Sequence, residues 1–169
     1  GNGVWEVTLA ENMLKHEQLY KLLVEWQSGC GERIPSYARR VVQDEQTKLF
    51  AAQVWAPMDQ AKGDKAIRRK AKRRKADDPL FIYECHIGMS SEEEKVNSYE
   101  EFRIYILPRI AKLGYNCLQI MAIQEHPYYG SFGYQVSNFY AASSWFGEPE
   151  DLKYLVNKAH EMGLRVLLD

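Results

Sequence analysis

Residues that could do acid–base or hydroxyl-binding chemistry stand at three places late in the chain. They are His86, the neighbouring pair Glu125 and His126, and Asp169. Each follows or ends a short apolar run that is typical of a β-strand. The carboxyl ends of parallel strands meet on one face of a sheet, so we expect these side chains to emerge on a common face.

The segment between the second and third of these places is dense in aromatic rings. Residues 125–140 read EHPYYGSFGYQVSNFY, with neither a helical period nor a clean strand alternation. A connection this long exceeds the usual two to six residues, and long ordered loops are often functional. Rings beside carboxylates and a histidine suit sugar, because a pyranose packs its C–H face on a ring while polar groups bind its hydroxyls. The alternative is that most of these rings only pack the loop onto the structure below: Tyr128, Tyr129, Phe132, Phe139 and Tyr140.

Two other chemistries fit the same residues less well. His86, His126 and Glu125 could in principle bind zinc, but no spacing such as HExxH supports a metal site. The segment GSFGYQ lacks the third glycine of a dinucleotide fingerprint and does not open a helix. We therefore predict neither a metal nor a cofactor.

The elements that must position these residues alternate over the second half of the chain. The order is strand, helix, strand, long loop, helix, strand, which predicts a parallel sheet with right-handed crossovers. Ser98 and Glu101 form the capping-box pattern at the start of the first helix. Gly163 is suited to end the second helix. The predicted strands are residues 80–88, 116–123 and 164–169, and the second helix is residues 148–163.

The first of these helices carries one apolar stripe. We expect Pro108 to kink this helix, because proline lacks the amide hydrogen that the helix needs. On the preceding strand Cys85 alternates with His86, so it is predicted to point into the core. The stripe consists of Tyr99, Phe102, Ile106, Ile110 and Leu113.

The first fifty residues are rich in strand-forming patterns and too few for a complete sandwich. We divide the chain into a β-rich unit at 1–50, a linker at 51–79 and an α/β unit at 80–169. The predicted strands of the first unit are residues 4–9, 18–26 and 39–44, with a turn at 28–32.

Charge is concentrated in one place. The chain has 169 residues and a net charge of −1, yet nine of its 22 Lys and Arg residues lie within residues 62–75. We interpret this run as a solvated linker. The alternative is a nucleic-acid arm, but no aromatic residues interleave the charges, so no nucleic-acid partner is predicted. No apolar run is long enough for a membrane helix. The three cysteines form no CxxC pair, which favours a reducing, cytoplasmic setting.

The second half of the chain resembles a known family. The segments IYECHIGMSS and LPRIAKLGYNCLQIMAIQEHPYYGSFGYQVSNFYAASSWFGEPEDLKYLVNKAHEMGLRVLLD are similar to the 1,4-α-glucan branching enzymes of glycogen and starch synthesis. These belong to glycoside hydrolase family 13, the α-amylase superfamily. The resemblance implies the first three β/α units of a TIM (β/α)8 barrel. Upstream, GVWEVTL, LYKLLVEW and GERIPSYARRVVQDE resemble the end of the carbohydrate-binding β-sandwich that precedes the barrel.

The resemblance also implies roles for particular residues. The tyrosine of the FGY motif, Tyr134, would stack under the sugar at the cleavage subsite. Asp169 resembles the first aspartate of the family's first signature region and would support the site, with Glu125 and His126 beside it. Trp5 resembles a sandwich tryptophan near which the family binds glucan, and a core tryptophan is the alternative. Trp145 departs from the family pattern, where SSRFG is typical.

The resemblance also implies a reaction for the whole enzyme. Branching enzymes cut an α-1,4 glucan and transfer the chain to a 6-hydroxyl, through a nucleophilic aspartate and an acid/base glutamate. The resemblance places both on later strands, so no catalytic residue is predicted in this chain. The implied partners are α-glucans: glycogen, amylose, amylopectin and malto-oligosaccharides. The alternatives are an α-glucan hydrolase or debranching enzyme, or a glucan-binding protein without catalysis if the chain truly ends at Asp169.

Overall fold

The computed structural model describes residues 3–11, 13–56 and 79–169. The basic run at 62–75 and most of the predicted linker lie outside the described residues. Ten strands and three α-helices occur in the described part, together with short 3-10 and π-helical turns. The strands are β1 (Leu19–Tyr20), β2 (Leu22–Trp26), β3 (Gly29–Arg33), β4 (Val41–Gln43), β5 (Phe50–Gln53), β6 (Ile82–His86), β7 (Cys117–Met121), β8 (Gln124–Glu125), β9 (Asn138–Ala142) and β10 (Arg165–Leu168). The helices are α1 (Tyr99–Glu101), α2 (Leu107–Lys112) and α3 (Pro149–Glu161).

The second half of the chain forms a three-stranded parallel sheet in the order β10-β7-β6. In the register, His86 lies opposite Met121, and Leu168 lies opposite Ile120. Helical segments connect the strands, as the alternating pattern predicted. The main core lies between this sheet and the helices and includes Phe102, Leu118 and Ile120. Cys85 belongs to it, so its predicted inward direction is confirmed.

The first helix begins where the sequence predicted. The Ser98 hydroxyl accepts a hydrogen bond from the Glu101 amide at 3.1 Å, and the Ser98 amide donates to the Glu101 carboxylate at 3.3 Å. This reciprocal pair confirms the capping box. It fixes the start of the helix that covers β6 and β7.

Pro108 changes this helix more than the predicted kink implied. Residues Phe102–Ile106 form a π-helical turn between α1 and α2, closed by the Leu107 amide donating to the Phe102 carbonyl. A wider turn accommodates a proline that has no amide hydrogen. A π-helical turn contains one residue more than an α-helical turn. This shifts the apolar stripe that the helix buries, so that Leu107 is fully buried and Leu113 is exposed. The predicted stripe is therefore wrong at Leu113.

The first unit pairs differently from the prediction. Residues 4–9 form no strand, and the predicted strand at 18–26 is divided at Lys21 into β1 and β2, which belong to different sheets. The predicted turn at 28–32 is also wrong. The chain turns earlier, at residues 27–28, and this allows Gly29–Arg33 to pair antiparallel with β2.

The remaining strands of this unit form a small antiparallel sheet in the order β1-β5-β4. β4 confirms the strand predicted within residues 39–44. β5 was not predicted, and it runs to Gln53, past the proposed unit boundary at residue 50. No helix of the described residues is long and apolar enough to cross a membrane.

A small seam joins this sheet to the second half of the chain. Ala38, Val41 and Ala52 form one buried cluster with Ala141 of β9. Beside it the Arg40 guanidinium donates to the Gly147 carbonyl at 2.5 Å. The Trp55 indole N–H donates to the Glu150 carboxylate. The two parts are therefore held together by packing and by hydrogen bonds.

Candidate functional site

The aromatic segment is an ordered substructure and not an irregular loop. Gln124 and Glu125 of β8 pair antiparallel with β9, opposite Ala142 and Asn138, with an irregularity between the two pairs. Short 3-10 turns follow at Tyr129–Ser131 and Ser144–Phe146. The irregular register removes the alternation by which a hairpin is recognised in sequence, so the hairpin was missed.

The glycine of the FGY motif brings this segment close to the sheet. Gly133 has φ of +87°, and a Cβ atom there would lie 2.3 Å from Ala122 Cα. No residue with a side chain fits so near a backbone atom. Phe132, just before it, also has a positive φ of 54°. The chain therefore crosses directly over the end of β7, and Tyr134 follows at once.

Tyr134 and Asp169 meet at the carboxyl end of the sheet. The Tyr134 hydroxyl donates to Asp169 Oδ2 at 3.4 Å, a long hydrogen bond. The tyrosine side chain is 67% exposed, so its ring is open to a ligand. Partial desolvation and the nearby Asp169 carboxylate both raise the pKa of Tyr134. The structure thus brings these two predicted site residues together on one face.

Glu125 is fully buried and faces the protein. Its carboxylate accepts hydrogen bonds from the Ser144 amide at 2.7 Å and from the Ser144 hydroxyl at 3.1 Å. Its carbonyl accepts from the Ser137 amide at 2.9 Å. Burial raises the pKa of Glu125 to about 7, against the opposing effect of the Ser144 hydrogen bonds. Glu125 therefore ties both ends of the aromatic segment together from beneath.

His126 is also fully buried. Its Nδ1 lies 2.9 Å from the Gln124 carbonyl, which can only accept, so Nδ1 carries the proton. Nε2 has no hydrogen-bond partner among the described residues. The His126 carbonyl accepts from the Trp145 indole N–H at 2.9 Å. Trp145, the departure from the family pattern, thus fastens the end of the segment to His126.

His86 lies behind the segment in an aromatic cage. Its side chain is 8% exposed, and neither ring nitrogen has a partner within the described ranges. Its ring meets the edges or faces of Tyr129, Phe132 and Phe146, with centroids 5.6 to 6.1 Å apart. Burial, and secondly the neighbouring His126, lower the pKa of His86. His86 is thus covered by the segment and does not open onto the exposed face.

The rings divide into packed and exposed ones. Tyr129 is half-buried and contacts Trp145 at a centroid distance of 5.6 Å, so the packing interpretation is right there. Phe132 also contacts the His86 ring but keeps exposed surface. Tyr128, Phe139 and Tyr140 are mostly exposed, so packing alone does not account for these rings in this chain. Trp5 is 96% exposed and lies outside any strand. No three His, Cys, Asp or Glu residues of the described part are grouped to hold a metal ion.

Comparison with known proteins identifies the class to which this architecture belongs. A model of the alpha-amylase catalytic domain matches residues 104–169. A solved Salmonella typhimurium structure assigned as an alpha amylase superposes with a TM-score of 0.58 at 22% identity, over 85% of this chain and 22% of that one. The second half of the chain therefore has the fold of the α-amylase catalytic domain, a TIM-barrel family.

Proteins of similar sequence confirm the resemblance to branching enzymes. The chain is 50% identical to a 1,4-alpha-glucan-branching enzyme of Aspergillus oryzae, over 100% of this chain and 25% of the relative. The Dictyostelium discoideum branching enzyme is 40% identical over 99% of this chain and 25% of its own length. The chain is also 45% identical to the 1,4-alpha-glucan-branching enzyme 2-2, chloroplastic/amyloplastic, of Arabidopsis thaliana. This match covers 99% of this chain and 21% of the relative. The chain is thus similar over its whole length to 1,4-alpha-glucan-branching enzymes, and it spans about a quarter of their length.

Proposed function

We propose that this chain is part of a 1,4-α-glucan branching enzyme and forms one wall of its glucan cleft. The proposal rests on the identity of 40–50% to such enzymes across the whole chain. The relatives carry the name of branching enzymes, which favours transfer over the hydrolytic and debranching alternatives. The likeness to the Salmonella structure bears on the fold alone.

The proposed whole-enzyme reaction is a retaining double displacement. A carboxylate nucleophile attacks the anomeric carbon, an acid protonates the leaving oxygen, and a covalent glycosyl intermediate forms. The 6-hydroxyl of a second glucan then replaces water as the acceptor. No residue of this chain is proposed as nucleophile or acid/base, because the resemblance assigns both to later strands.

The residues of this chain take supporting roles in the proposal. The exposed ring of Tyr134 stacks against a glucosyl unit, and Asp169 at the end of β10 orients the tyrosine hydroxyl or a sugar hydroxyl. Glu125 and His126 act as positioning residues, because their side chains are buried and hold the segment that carries Tyr134. Trp5, with its exposed indole, is proposed as a glucan contact of the first unit.

The same proposal includes the domain architecture, the ligands and the cellular compartment. Strands β6, β7 and β10 are proposed as the first three strands of a (β/α)8 barrel. The sheets before residue 54 are proposed as part of a carbohydrate-binding sandwich. The proposed ligands are glycogen, amylose, amylopectin and malto-oligosaccharides, and the proposed setting is the cytoplasm, although one plant relative is named as plastidial.

Titration of the chain with maltoheptaose tests the glucan cleft. We expect saturable binding that Tyr134→Ala weakens about fivefold, since an aromatic contact contributes about 0.5–1.5 kcal/mol. Tyr105→Ala removes a similarly exposed tyrosine from the π-helical turn between α1 and α2 and serves as the matched control. Unchanged affinity of the Tyr134 variant would refute the stacking role. In the same series Trp5→Phe tests the proposed contact at Trp5.

An amylose–iodine assay tests the assignment of the chemistry to other strands. We expect this chain alone to leave the absorbance of the amylose–iodine complex unchanged. A time-dependent change, absent from an Asp169→Ala variant, would show that the chain itself holds a catalytic carboxylate.

A further inference from the structure

One arginine of the first unit reaches across the seam to the second half of the chain. The Arg40 guanidinium donates a hydrogen bond to the Gly147 carbonyl at 2.5 Å, although 107 positions separate the two residues in sequence. Its Cζ atom lies 5.3 Å from the centroid of the Trp55 ring, a distance at which a cation is attracted to an aromatic face. The Arg40 carbonyl accepts from the Gln53 amide at 2.9 Å. Arg40 is therefore held in place by residues on its own side of the seam.

Packing alone does not explain an arginine at this position. The Nε atom of Arg40 is buried and has no hydrogen-bond partner among the described residues. A buried donor without a partner lowers stability, and an aliphatic side chain would avoid this loss. The contact that distinguishes arginine from such a side chain is the hydrogen bond to the Gly147 carbonyl.

Gly147 lies between the aromatic segment and α3. It follows the 3-10 turn at Ser144–Phe146 and has a φ of +134°. A Cβ atom there would lie 2.8 Å from Asp151 Oδ2 and 3.3 Å from Tyr99 Cδ2. The backbone of this turn therefore depends on a glycine, and Arg40 fixes the direction of the glycine carbonyl.

Ring contacts lead from this turn to one side of Tyr134. Phe146, the neighbour of Gly147, packs against the His86 ring with centroids 5.6 Å apart. His86 in turn contacts the ring of Phe132 at a centroid distance of 6.1 Å. Phe132 stands two residues before Tyr134, so the turn supports the backbone that leads into the tyrosine.

Hydrogen bonds lead from the same turn to the other side of Tyr134. The Ser144 amide donates to the Glu125 carboxylate at 2.7 Å, and the Glu125 carbonyl accepts from the Ser137 amide at 2.9 Å. Ser137 stands three residues after Tyr134. The charge of Arg40 also acts on this route, because burial raises the pKa of Glu125 and Arg40 is among the influences that oppose the rise.

We propose that Arg40 is a positioning residue of the glucan cleft, which holds the turn at Gly147 and, through this turn, the ring of Tyr134. This inference rests on the proposed function for the identity of the ligand, and on the hydrogen bonds and ring contacts for the route. The effect of Arg40 on the glucan is indirect, because the contacts of its guanidinium are with Trp55 and Gly147.

Maltoheptaose binding to single and double variants tests this role. Arg40→Ala should weaken binding about threefold to fivefold, because it can remove no more than the ring of Tyr134 contributes. In a Tyr134→Ala background the same change should have no further effect, since residues that act through one contact are not additive. Arg40→Lys keeps a cationic donor for the Gly147 carbonyl and should recover most of the affinity.

Arg33→Ala is the matched control. The Arg33 guanidinium also lies over a tryptophan, 5.5 Å from the centroid of the Trp26 ring, and it also donates to a carbonyl, that of Glu32 at 2.8 Å. Arg33 belongs to the separate β2–β3 sheet and not to the buried cluster of the seam. Its loss should therefore leave maltoheptaose binding unchanged. Circular dichroism confirms that each variant is folded.

A measurement on the unaltered chain covers the case in which the Arg40 variants do not fold. Because coupling between two sites is reciprocal, saturation with maltoheptaose should shift the NMR resonance of the Arg40 Nε–H and not that of the Arg33 Nε–H. The shift should disappear in the Tyr134→Ala variant at saturating maltoheptaose, since the route ends at that ring.

Several results would overturn the role of Arg40 and leave the proposed function standing. They are affinity that Arg40→Ala leaves unchanged, an equal loss in the Tyr134→Ala background or for Arg33→Ala, an affinity of Arg40→Lys as low as that of Arg40→Ala, and an Arg40 resonance that maltoheptaose does not move. Absence of any maltoheptaose binding to the unaltered chain would overturn both.

Discussion

The base and the rim of the aromatic segment are built for different tasks. At the base, Glu125 and His126 are fully buried, and they form hydrogen bonds with Ser144, Gln124 and Trp145. At the rim, Tyr134 and Tyr140 are mostly exposed. Both sets belong to the same segment, residues 125–140, yet the buried residues hold the segment in place and the exposed rings face outward.

This difference changes the meaning of the carboxylates at the strand ends. Glu125 and Asp169 were grouped in the sequence as members of one polar face. In the structure Asp169 accepts from an exposed tyrosine, whereas Glu125 accepts from Ser144 inside the protein. A carboxylate that is fully enclosed cannot bind a sugar hydroxyl without a rearrangement, so Glu125 acts on the glucan only through the segment it holds.

The largest effect on stability should come from the base. Phe146 is buried and packs against the rings of Tyr99, His86 and His126. Phe146→Ala should lower the free energy of unfolding by about 3–5 kcal/mol, because it removes apolar contact and leaves a cavity. Urea denaturation followed by circular dichroism measures this. Phe139→Ala at the rim, where the ring is exposed, should change it by about 0.5 kcal/mol or less. Equal effects would remove the distinction between base and rim.

The next largest effect should be a pH dependence that Glu125 causes. Its pKa of about 7 in the folded chain lies above the value of about 4.5 expected when unfolded. The stability this group contributes is therefore present below pH 4.5 and is lost as the pH rises through 7. The glutamine of the Glu125→Gln variant does not titrate, so the free energy of unfolding of the variant should rise relative to that of the unaltered chain by about 3 kcal/mol between pH 4.5 and 8. Chemical denaturation across this range measures the difference. A difference that stays constant with pH would mean that Glu125 is not buried.

A smaller effect of the opposite sign should come from His86. Burial lowers its pKa below the ordinary value of 6.5, so its contribution to stability is present above pH 6.5 and is lost as the pH falls through the folded-state pKa. Melting temperatures of the His86→Gln variant and of the unaltered chain are measured at pH 7.5 and at pH 5.5. Because Glu125 titrates in both proteins, the difference between them reports the contribution of His86 alone. The unaltered chain should lose more stability on acidification than the variant does. Identical losses would show that the cage around His86 opens to water.

The smallest effect on stability should be at the rim. Tyr134 makes one long hydrogen bond and is largely exposed, so Tyr134→Ala should change the free energy of unfolding by about 0.5 kcal/mol or less. The same substitution is expected to weaken maltoheptaose binding, and Tyr134→Phe should not. A loss of stability above about 1 kcal/mol would assign the ring to packing and not to ligand display.

Much of the second half of the chain could be predicted because its signals are local. The reciprocal bonds of Ser98 and Glu101 join residues three apart, and the strand at Cys117–Met121 lies within the mostly apolar run predicted at residues 116–123. The resemblance implied that Tyr134 and Asp169 share the site, and in the structure their side chains lie within hydrogen-bond distance. Predictions failed where pairing depends on partners far away. Residues 18–26 read as one strand, but β5, about thirty residues later, pairs only with the first part of it.

The sequence by itself determined the alternation of the parallel strands β6, β7 and β10 with helices, the cap at Ser98 and the similarity to branching enzymes, because each is encoded in short-range pattern or in residue identity. Only the tertiary structure decided which polar and aromatic residues are enclosed and which are displayed. Glu125 is enclosed because Ser144 closes over it, and Tyr37 meets Tyr140 because a seam of small residues brings two distant segments together. Burial and such contacts depend on atoms supplied by remote parts of the chain, and no local pattern contains them.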